Sequence, residues 1–385
     1  MYFKRFLKLD LHDTQAAIIL GPRKTGKSSL LKKQFPSAIF YDLLKTDLRT
    51  ELTLRPEKLR HKILKDKPKI VVLDEIQKCP ELLDEIHWCL ENTTTKFILC
   101  GSSARKLKTV ASGVLGGRAK RYDFFPLTSE EIESEFSKDP LSRILNQGLI
   151  PQHFNADHPD RLLRTYVLDY LEEEIRQEAV VKNLPVFSRF LETAGLMNGE
   201  LLNFENVARE AGASANTIKG YYQILVDTLF GFFLTPWEKS QTRRLIETRK
   251  FYLFDCGVVR ALKEFQKIEL RTSEAGRAFE TFLINEIRAY QSYHENYESL
   301  FFWRTSNGLE VDLVVGRNAS VAFEFKCADQ IRSKDLAGLR AFNEENKPRC
   351  KLVVYNGPEQ YETEDGITIL PWRTFCQQLW HSKIF

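Results

Sequence analysis

The chain has 385 residues, which at the usual scale of about 150 residues per domain predicts two or three domains and excludes a single small module. Hydrophobic residues at 43% and charged residues at 28% lie close to globular averages, so each domain can bury a core. Lys+Arg 56 against Asp+Glu 52 leaves a formal net charge of +4, too weak to mark a nucleic-acid binder by bulk electrostatics, and any DNA affinity must come from local patches.

The amino terminus, Met1-Tyr2-Phe3-Lys4-Arg5-Phe6-Leu7-Lys8, lacks the apolar core of a signal peptide. No apolar run approaches the roughly 18 residues of a membrane span, and the longest, 225–237, is interrupted by Asp227 and Pro236. The seven cysteines, Cys79, Cys89, Cys100, Cys256, Cys327, Cys350 and Cys376, are odd in number and never spaced as Cys-x-x-Cys. This argues against a disulfide framework or a zinc site and points to a reducing, cytoplasmic setting without a membrane partner.

Apolar runs of strand length at 16–20, 38–42, 70–73 and 97–100 alternate with helical patterns, which predicts parallel βα units. The Lys-rich run 58–69 reads as the solvated face of a helix. The segment 121–125 is strand-like, and from 129 to about 183 the periodicity turns helical, as in a lid or connector. Pro185 opens a helical segment to about 236, and a strand follows at 251–254. An amphipathic helix at 276–290 then gives way to short strands, with Asn307-Gly308 joining 301–304 to 310–315 as a hairpin. No internal repeat is visible. The predicted domains are residues 1–128, 129–184, 185–268 and 269–385.

Gly21-Pro22-Arg23-Lys24-Thr25-Gly26-Lys27-Ser28, followed by Ser29, fits G-x-x-x-x-G-K-[ST] between an apolar strand and a helical run. Glycines let the backbone wrap phosphates, so that N–H groups and the helix dipole face negative charge. Lys27 is expected on the β- and γ-phosphates, Ser28 on Mg²⁺, and Arg23 and Lys24 as replaceable extra charge. The run Ile70-Val71-Val72-Leu73-Asp74-Glu75 puts two carboxylates at the end of a buried strand, Asp74 for the Mg²⁺ shell and Glu75 to polarise the attacking water. Ser102, at the end of the next strand, is expected to sense the γ-phosphate. The pair Ser102-Ser103 equally suits a helix N-cap. Arg118, after Gly116-Gly117, is read either as an arginine finger acting across the interface of a homo-oligomer or as a surface ion pair.

These motifs, with Leu73-Asp74-Glu75-Ile76-Gln77-Lys78 and Pro80, Gly101-Ser102-Ser103-Ala104 and Gly117-Arg118, resemble prokaryotic AAA-type (AAA+) P-loop ATPases that carry an uncharacterised carboxy-terminal domain. The similarity continues through 171–175 and through Lys250-Phe251-Tyr252-Leu253-Phe254-Asp255-Cys256-Gly257 to Leu262. It implies an AAA+ core, a winged helix and a nuclease-like domain. Lys24 stands where a glutamine is common.

Between 204 and 221, Val207, Ala208, Gly212 and Ile218 have the spacing of two short crossed helices and resemble a helix-turn-helix. Ser214 can cap the second helix, which would present Asn216, Thr217 and Lys219 to DNA, with Arg243, Arg244, Arg249 and Lys250 as a basic wing. Tyr221, Tyr222, Leu225 and Phe230 read as core, and the element is equally suited to packing.

In the last third, Glu280, Asp312 and Glu324-Phe325-Lys326 resemble the order E…D…E-x-K of PD-(D/E)xK nucleases. Residues two apart on a strand share a face, so Glu324 would hold Mg²⁺ while Lys326 favours a hydroxide nucleophile. Asp312 reaches that face, opposite Ala322, if Gly316-Arg317-Asn318 is a three-residue turn, and Glu280 would act from its helix. Arg304 would contact phosphate or pair with Glu310. A buried ion pair kept for structure is the alternative. The whole reads as an α/β protein: a P-loop ATPase core, a connector, a winged helix and a restriction-endonuclease-like domain, using ATP and Mg²⁺ and acting on DNA by cleavage or as a nucleotide-dependent switch.

Overall fold

The computed structural model describes residues 3–11, 16–102, 118–135, 140–169, 183–238, 248–264 and 266–385. They fall into two units, one comprising residues up to Leu127 with Asp227–Phe230, the other Thr128–Val226 with Gly231–Phe385.

In the first unit five strands, β1 (Ala16–Leu20), β2 (Ile39–Asp42), β3 (Ile70–Asp74), β4 (Lys96–Gly101) and β5 (Ala119–Asp123), pair in the order β2-β3-β4-β1-β5, parallel throughout. Four helices, α1 (Lys27–Gln34), α2 (Thr46–Leu54), α3 (Glu57–Asp66) and α4 (Leu82–Asn92), connect them. The central strands β1, β3 and β4 read as apolar runs because both faces are covered. Val71, Leu73, Phe97 and Leu99 pack with Leu52, Leu59, Ile63 and Ile86 of the helices on one face, and Ile19, Val72 and Ile98 are buried on the other. Each such side chain contributes about 1.5–3 kcal/mol by leaving water. The last strand lies two residues earlier than the run at 121–125 predicts. Since β4 sits between β1 and β3, the carboxyl ends of these three strands meet at one edge.

The second unit opens with α5 (Pro140–Gln147), α6 (Pro151–Phe154) and α7 (Pro159–Asp169), then α8 (Leu184–Leu196), α9 (Phe204–Ala211) and α10 (Ala215–Asp227). Asn203 caps α9 by accepting from the N–H groups of Glu205 and Asn206, and Ser214 caps α10 by accepting from Thr217 N at 3.2 Å. Tyr221, Tyr222 and Leu225 are buried, as expected of core. A hairpin follows, β6 (Gly231–Pro236) against β7 (Lys250–Leu253), and Leu201 bridges Lys250 on the other side of β7. Asp255 then caps α11 (Cys256–Leu262), accepting from Val258 N at 3.1 Å and from Leu149 N at 2.6 Å.

After α12 (Ser273–Tyr293) come β8 (Leu300–Arg304), β9 (Glu310–Val315), β10 (Val321–Lys326), α13 (Ala337–Asn346), β11 (Cys350–Tyr355), β12 (Tyr361–Glu362), β13 (Thr368–Pro371) and α14 (Trp372–Trp380). The sheet order is β12-β13-β11-β10-β9-β8-β6-β7. The hairpin β6–β7 thus belongs to the same sheet as the last third: β6 pairs with β7 from Gly231 to Leu234 and runs parallel to β8 at Thr235 and Pro236. The expected hairpin β8–β9 forms, closed by the five residues 305–309, with only Gly308 left-handed there.

The turn between β9 and β10 differs from the expected three-residue form. Val321 pairs with Val315 and Ala322 with Val314, so the loop comprises the five residues 316–320 and Asp312 is not opposite Ala322. The added pair shifts the register by two, which preserves the face, and continuing it sets Asp312 across from Glu324.

Candidate functional site

The phosphate loop leaves β1 at Gly21, which lies so close to the chain after β5 that a Cβ there would stand 2.2 Å from Phe124 O. Gly26 turns the loop into α1 with φ 98°, a left-handed conformation suited to glycine. No side chain caps α1 and its first turn carries no acidic residue, so its leading N–H groups are left to a ligand. Lys27 is buried, and its ammonium is held by the carbonyls of Gly21 at 2.7 Å and Pro22 at 2.9 Å. A phosphate oxygen bearing formal charge competes well for that ammonium against two neutral carbonyls. Thr25 closes the loop by donating to Pro22 O at 2.8 Å. Lys24 and Ser29 are exposed and Arg23 and Ser28 half-buried.

Across the same edge, Asp74 ends β3 with Oδ1 buried and without a hydrogen-bond partner. An orphaned carboxylate oxygen suits Mg²⁺, which commonly takes one or two protein ligands plus phosphate oxygens and water; Asp74 and Ser28 are the residues that would hold it. Cys100 lies beside Asp74 in the register, and burial, then the Asp74 carboxylate, push its thiol well above the usual cysteine range. Glu75 adopts φ 58°, a conformation costing a non-glycine residue about 1–2 kcal/mol, directly after Asp74. Its Oε2 accepts from Gln77 Nε2 and lies 3.4 Å from Ser102 Oγ, while Gln77 Nε2 also reaches Ser102 Oγ at 3.2 Å. The carboxylate is therefore held from two sides, the arrangement a residue that orients water requires. Gln77 is a site residue the motif reading missed as such; its signal was a polar side chain two positions after the acidic strand end.

Arg118 does not join this site in its own chain. It precedes β5, at the edge of the sheet opposite the phosphate loop, and donates to Glu91 at 2.8 Å with its side chain 46% exposed. Ser103 and Gly116-Gly117 lie outside the described residues, as do residues 171–175 and Arg243 and Arg244.

In the second unit Asp312, Glu324 and Lys326 stand together on neighbouring strands. Asp312 Oδ2 accepts from Phe325 N at 2.8 Å, and Lys326 donates to Glu324 Oε1 while Glu324 Oε2 is buried without a hydrogen-bond partner. Burial, then Asp312, pushes the Glu324 carboxyl well above the usual range. Burial works against the Lys326 ammonium, but the carboxylates of Asp312 and Glu324 outweigh it and raise its pKa. A second lysine enters from β7: Lys250, only 4% exposed, pairs with Glu310 and lies 3.4 Å from Glu280. Tyr252 donates to the same Glu280, whose carboxyl burial pushes up to about 7. Arg304 pairs with Glu310 at 2.7 Å, the structural option of the two expected for it.

This arrangement corrects one expectation. Lys250 is no part of a basic wing, because a buried ammonium ion-paired on two sides cannot serve a duplex. Among the described residues no group of three or more His, Cys, Asp or Glu is arranged to hold a metal ion, so a metal at Asp312 and Glu324 would rest on those two carboxylates. Lysine ammonium groups supply the positive charge beside the carboxylates. Lys250 escaped the sequence reading because a lysine opening a strand after a basic run looks solvated.

On the helix pair, Asn216 and Lys219 are exposed, with the Lys219 ammonium 5.6 Å from the Phe204 ring centroid, and Thr217 is half-buried against the capping Ser214. Among the described residues no helix is long and apolar enough to cross a membrane.

Three segments match known families. Residues 138–269 match a domain of unknown function (DUF8612) and residues 275–375 another (DUF4143), while residues 13–133 match the family described as an AAA domain. No curated protein matches the chain. Among solved structures it is similar to a Walker-type ATPase of Pyrococcus abyssi, at 16% identity and TM-score 0.45, over 66% of this chain and 92% of that one. It is similar to the Orc1 protein of Aeropyrum pernix in complex with DNA at 14% and 0.31, over 65% and 86%. A signal-transduction ATPase with numerous domains and a tetratricopeptide repeat sensor, from Pyrococcus horikoshii, follows at 16% and 0.23, over 74% and 46%. TM-scores below 0.5 place no constraint on the chemistry. The AAA match spans the phosphate loop and the acidic end of β3, so the amino-terminal unit is similar to an AAA-type P-loop ATPase domain.

Proposed function

We propose that the chain is an ATP-driven switch that engages DNA, and that its carboxy-terminal domain, nuclease-like in residue order, binds rather than cuts. When bound, ATP and Mg²⁺ supply the phosphoryl group and the charge that neutralises it. Lys27 and the N–H groups of the loop hold the phosphates, and Asp74 and Ser28 hold the metal. Glu75, steadied by Gln77 and Ser102, orients the attacking water. Any role of Arg118 as a finger belongs to the site of a neighbouring copy.

The observation that carries the choice of switch over nuclease is Lys250. Its ammonium stands among Glu280, Glu310 and Asp312, where a catalytic Mg²⁺ would be needed. DNA as the partner is supported by the order of helix, bridge, two capped helices and hairpin from α8 to β7, which resembles that of a winged helix, with Asn216 and Lys219 exposed.

Cleavage of linear, circular, single-stranded and branched DNA is measured in Mg²⁺ and Mn²⁺, with and without ATP, beside duplex binding at two salt concentrations. The expected result is ATP turnover, no cleavage, and salt-dependent binding that weakens in a Thr217→Ala/Lys219→Ala variant. Metal-dependent cleavage that disappears in Glu324→Ala/Lys326→Ala would overturn the switch in favour of the nuclease. Binding unchanged by Thr217→Ala/Lys219→Ala would remove the groove-reading role.

A further inference from the structure

The first described residues alternate: Phe3, Arg5, Leu7 and Leu11 are buried, whereas Lys4, Lys8 and Asp10 are exposed. This is the period of an extended arm lying on a core. The arm is fixed along its length, since Gln34 Nε2 donates to Leu7 O at 2.6 Å and the Tyr122 hydroxyl to Asp10 O at 2.8 Å. One of its inward positions is a guanidinium. Arg5, 8% exposed, donates to Thr25 O in the phosphate loop, to Phe125 O at 2.7 Å and to Pro126 O at 2.9 Å, with its guanidinium carbon 4.0 Å from the Phe124 ring centroid.

We propose that Arg5 is a positioning residue of the nucleotide site, and that it links the phosphate loop to residues 124–126, the last stretch before the second unit begins at Thr128. The proposal rests on the reading of residues 21–29 as the ATP-binding loop. Its physical basis is the planarity of the peptide bond. Thr25 C=O and Gly26 N–H belong to one trans peptide and point in opposite directions, so a guanidinium that holds the carbonyl also fixes where the Gly26 N–H points. Arg5 suits the task because its planar fork holds carbonyls from two segments at once, which the single ammonium of a lysine cannot match. Gly26 lies against it: a Cβ there would make ordinary van der Waals contact with Arg5 Nη1 at 3.5 Å. The same fork grips the carbonyls of Phe125 and Pro126, so a movement of the Thr25–Gly26 peptide on phosphate binding is felt there directly.

The test compares wild type, Arg5→Lys and Arg5→Met by KM and kcat for MgATP, and by hydrogen exchange of the amides of Phe124, Phe125 and Leu127 with and without MgADP. In wild type MgADP slows exchange at these amides. In Arg5→Met the KM rises about tenfold, as expected for losing charged hydrogen bonds to a buried loop, and the MgADP-dependent slowing disappears. Arg5→Lys lies between in KM and also loses the slowing. A loss of fold alone would lower thermal stability without uncoupling exchange from nucleotide, and if Arg5→Met does not fold, Arg5→Lys carries the same test. Variants with wild-type KM and intact slowing overturn the proposal while leaving the ATP site standing. A wild-type chain that binds no MgADP overturns both.

Discussion

A strained Glu75 beside an unstrained Asp74 divides the work of two adjacent carboxylates. Asp74 keeps a buried oxygen without a partner, while Glu75 is turned by its left-handed backbone toward Gln77 and Ser102. Glu75→Gln is expected to lower ATP turnover by about 10²–10³-fold with little change in KM, because it removes a charge used while water attacks and not while ATP binds. Steady-state kinetics decides this, and turnover at the wild-type rate would remove Glu75 from the mechanism. At this scale the sequence was legible where chemistry demands a fixed local spacing, as in Gly21 to Ser28 and Asp74-Glu75. It was silent where a residue acts through distant partners. Arg5 serves carbonyls 20 to 121 positions away, and Lys250 serves acids 30 and 60 positions away. No local pattern records such separations.

Among the elements, β7 is the most consequential. Its first residue, Lys250, neutralises carboxylates presented by α12 and β9, so one strand of the middle third completes the charge balance of the last third. Lys250→Met is expected to cost about 3–5 kcal/mol, since it strands buried carboxylates without a counter-ion. Glu280→Gln added to Lys250→Met should recover part of that loss. Urea unfolding of the two variants measures both, and equal midpoints for Lys250→Met and wild type would show the pair to be incidental. The strands and helices themselves were largely readable, because apolar runs of four to six residues and capping residues such as Ser214 act locally. The pairing of β6 with β8 was not, since nothing in Thr235-Pro236 announces a partner more than sixty positions later.

For the molecule as a whole, the second unit buries acids whose protons are held more tightly when folded. Burial pushes Asp255 up to about 6 despite N–H donors from Leu149 and Val258, and Glu286 up to about 7 despite donors from Ser129 and Trp380. An acid with a raised folded pKa contributes stability that is complete below its unfolded pKa and is lost as pH rises through the folded value. The unit is therefore expected to lose stability between about pH 4.5 and 7, and Glu286→Gln to flatten that decline. Thermal unfolding followed by tryptophan fluorescence checks it, and a midpoint that climbs over this range would refute the assignment. The shared sheet also governs how such a chain is made. When synthesis has passed β7 but not yet reached α12, Lys250 has no carboxylate to meet and β6 has no β8 beside it. The middle third then carries a buried-type cation and an open strand edge until some sixty further residues emerge, a window in which edge-to-edge association competes with folding. A fragment ending near residue 269 would stay in that window permanently, and is expected to accumulate as aggregate where the full chain does not.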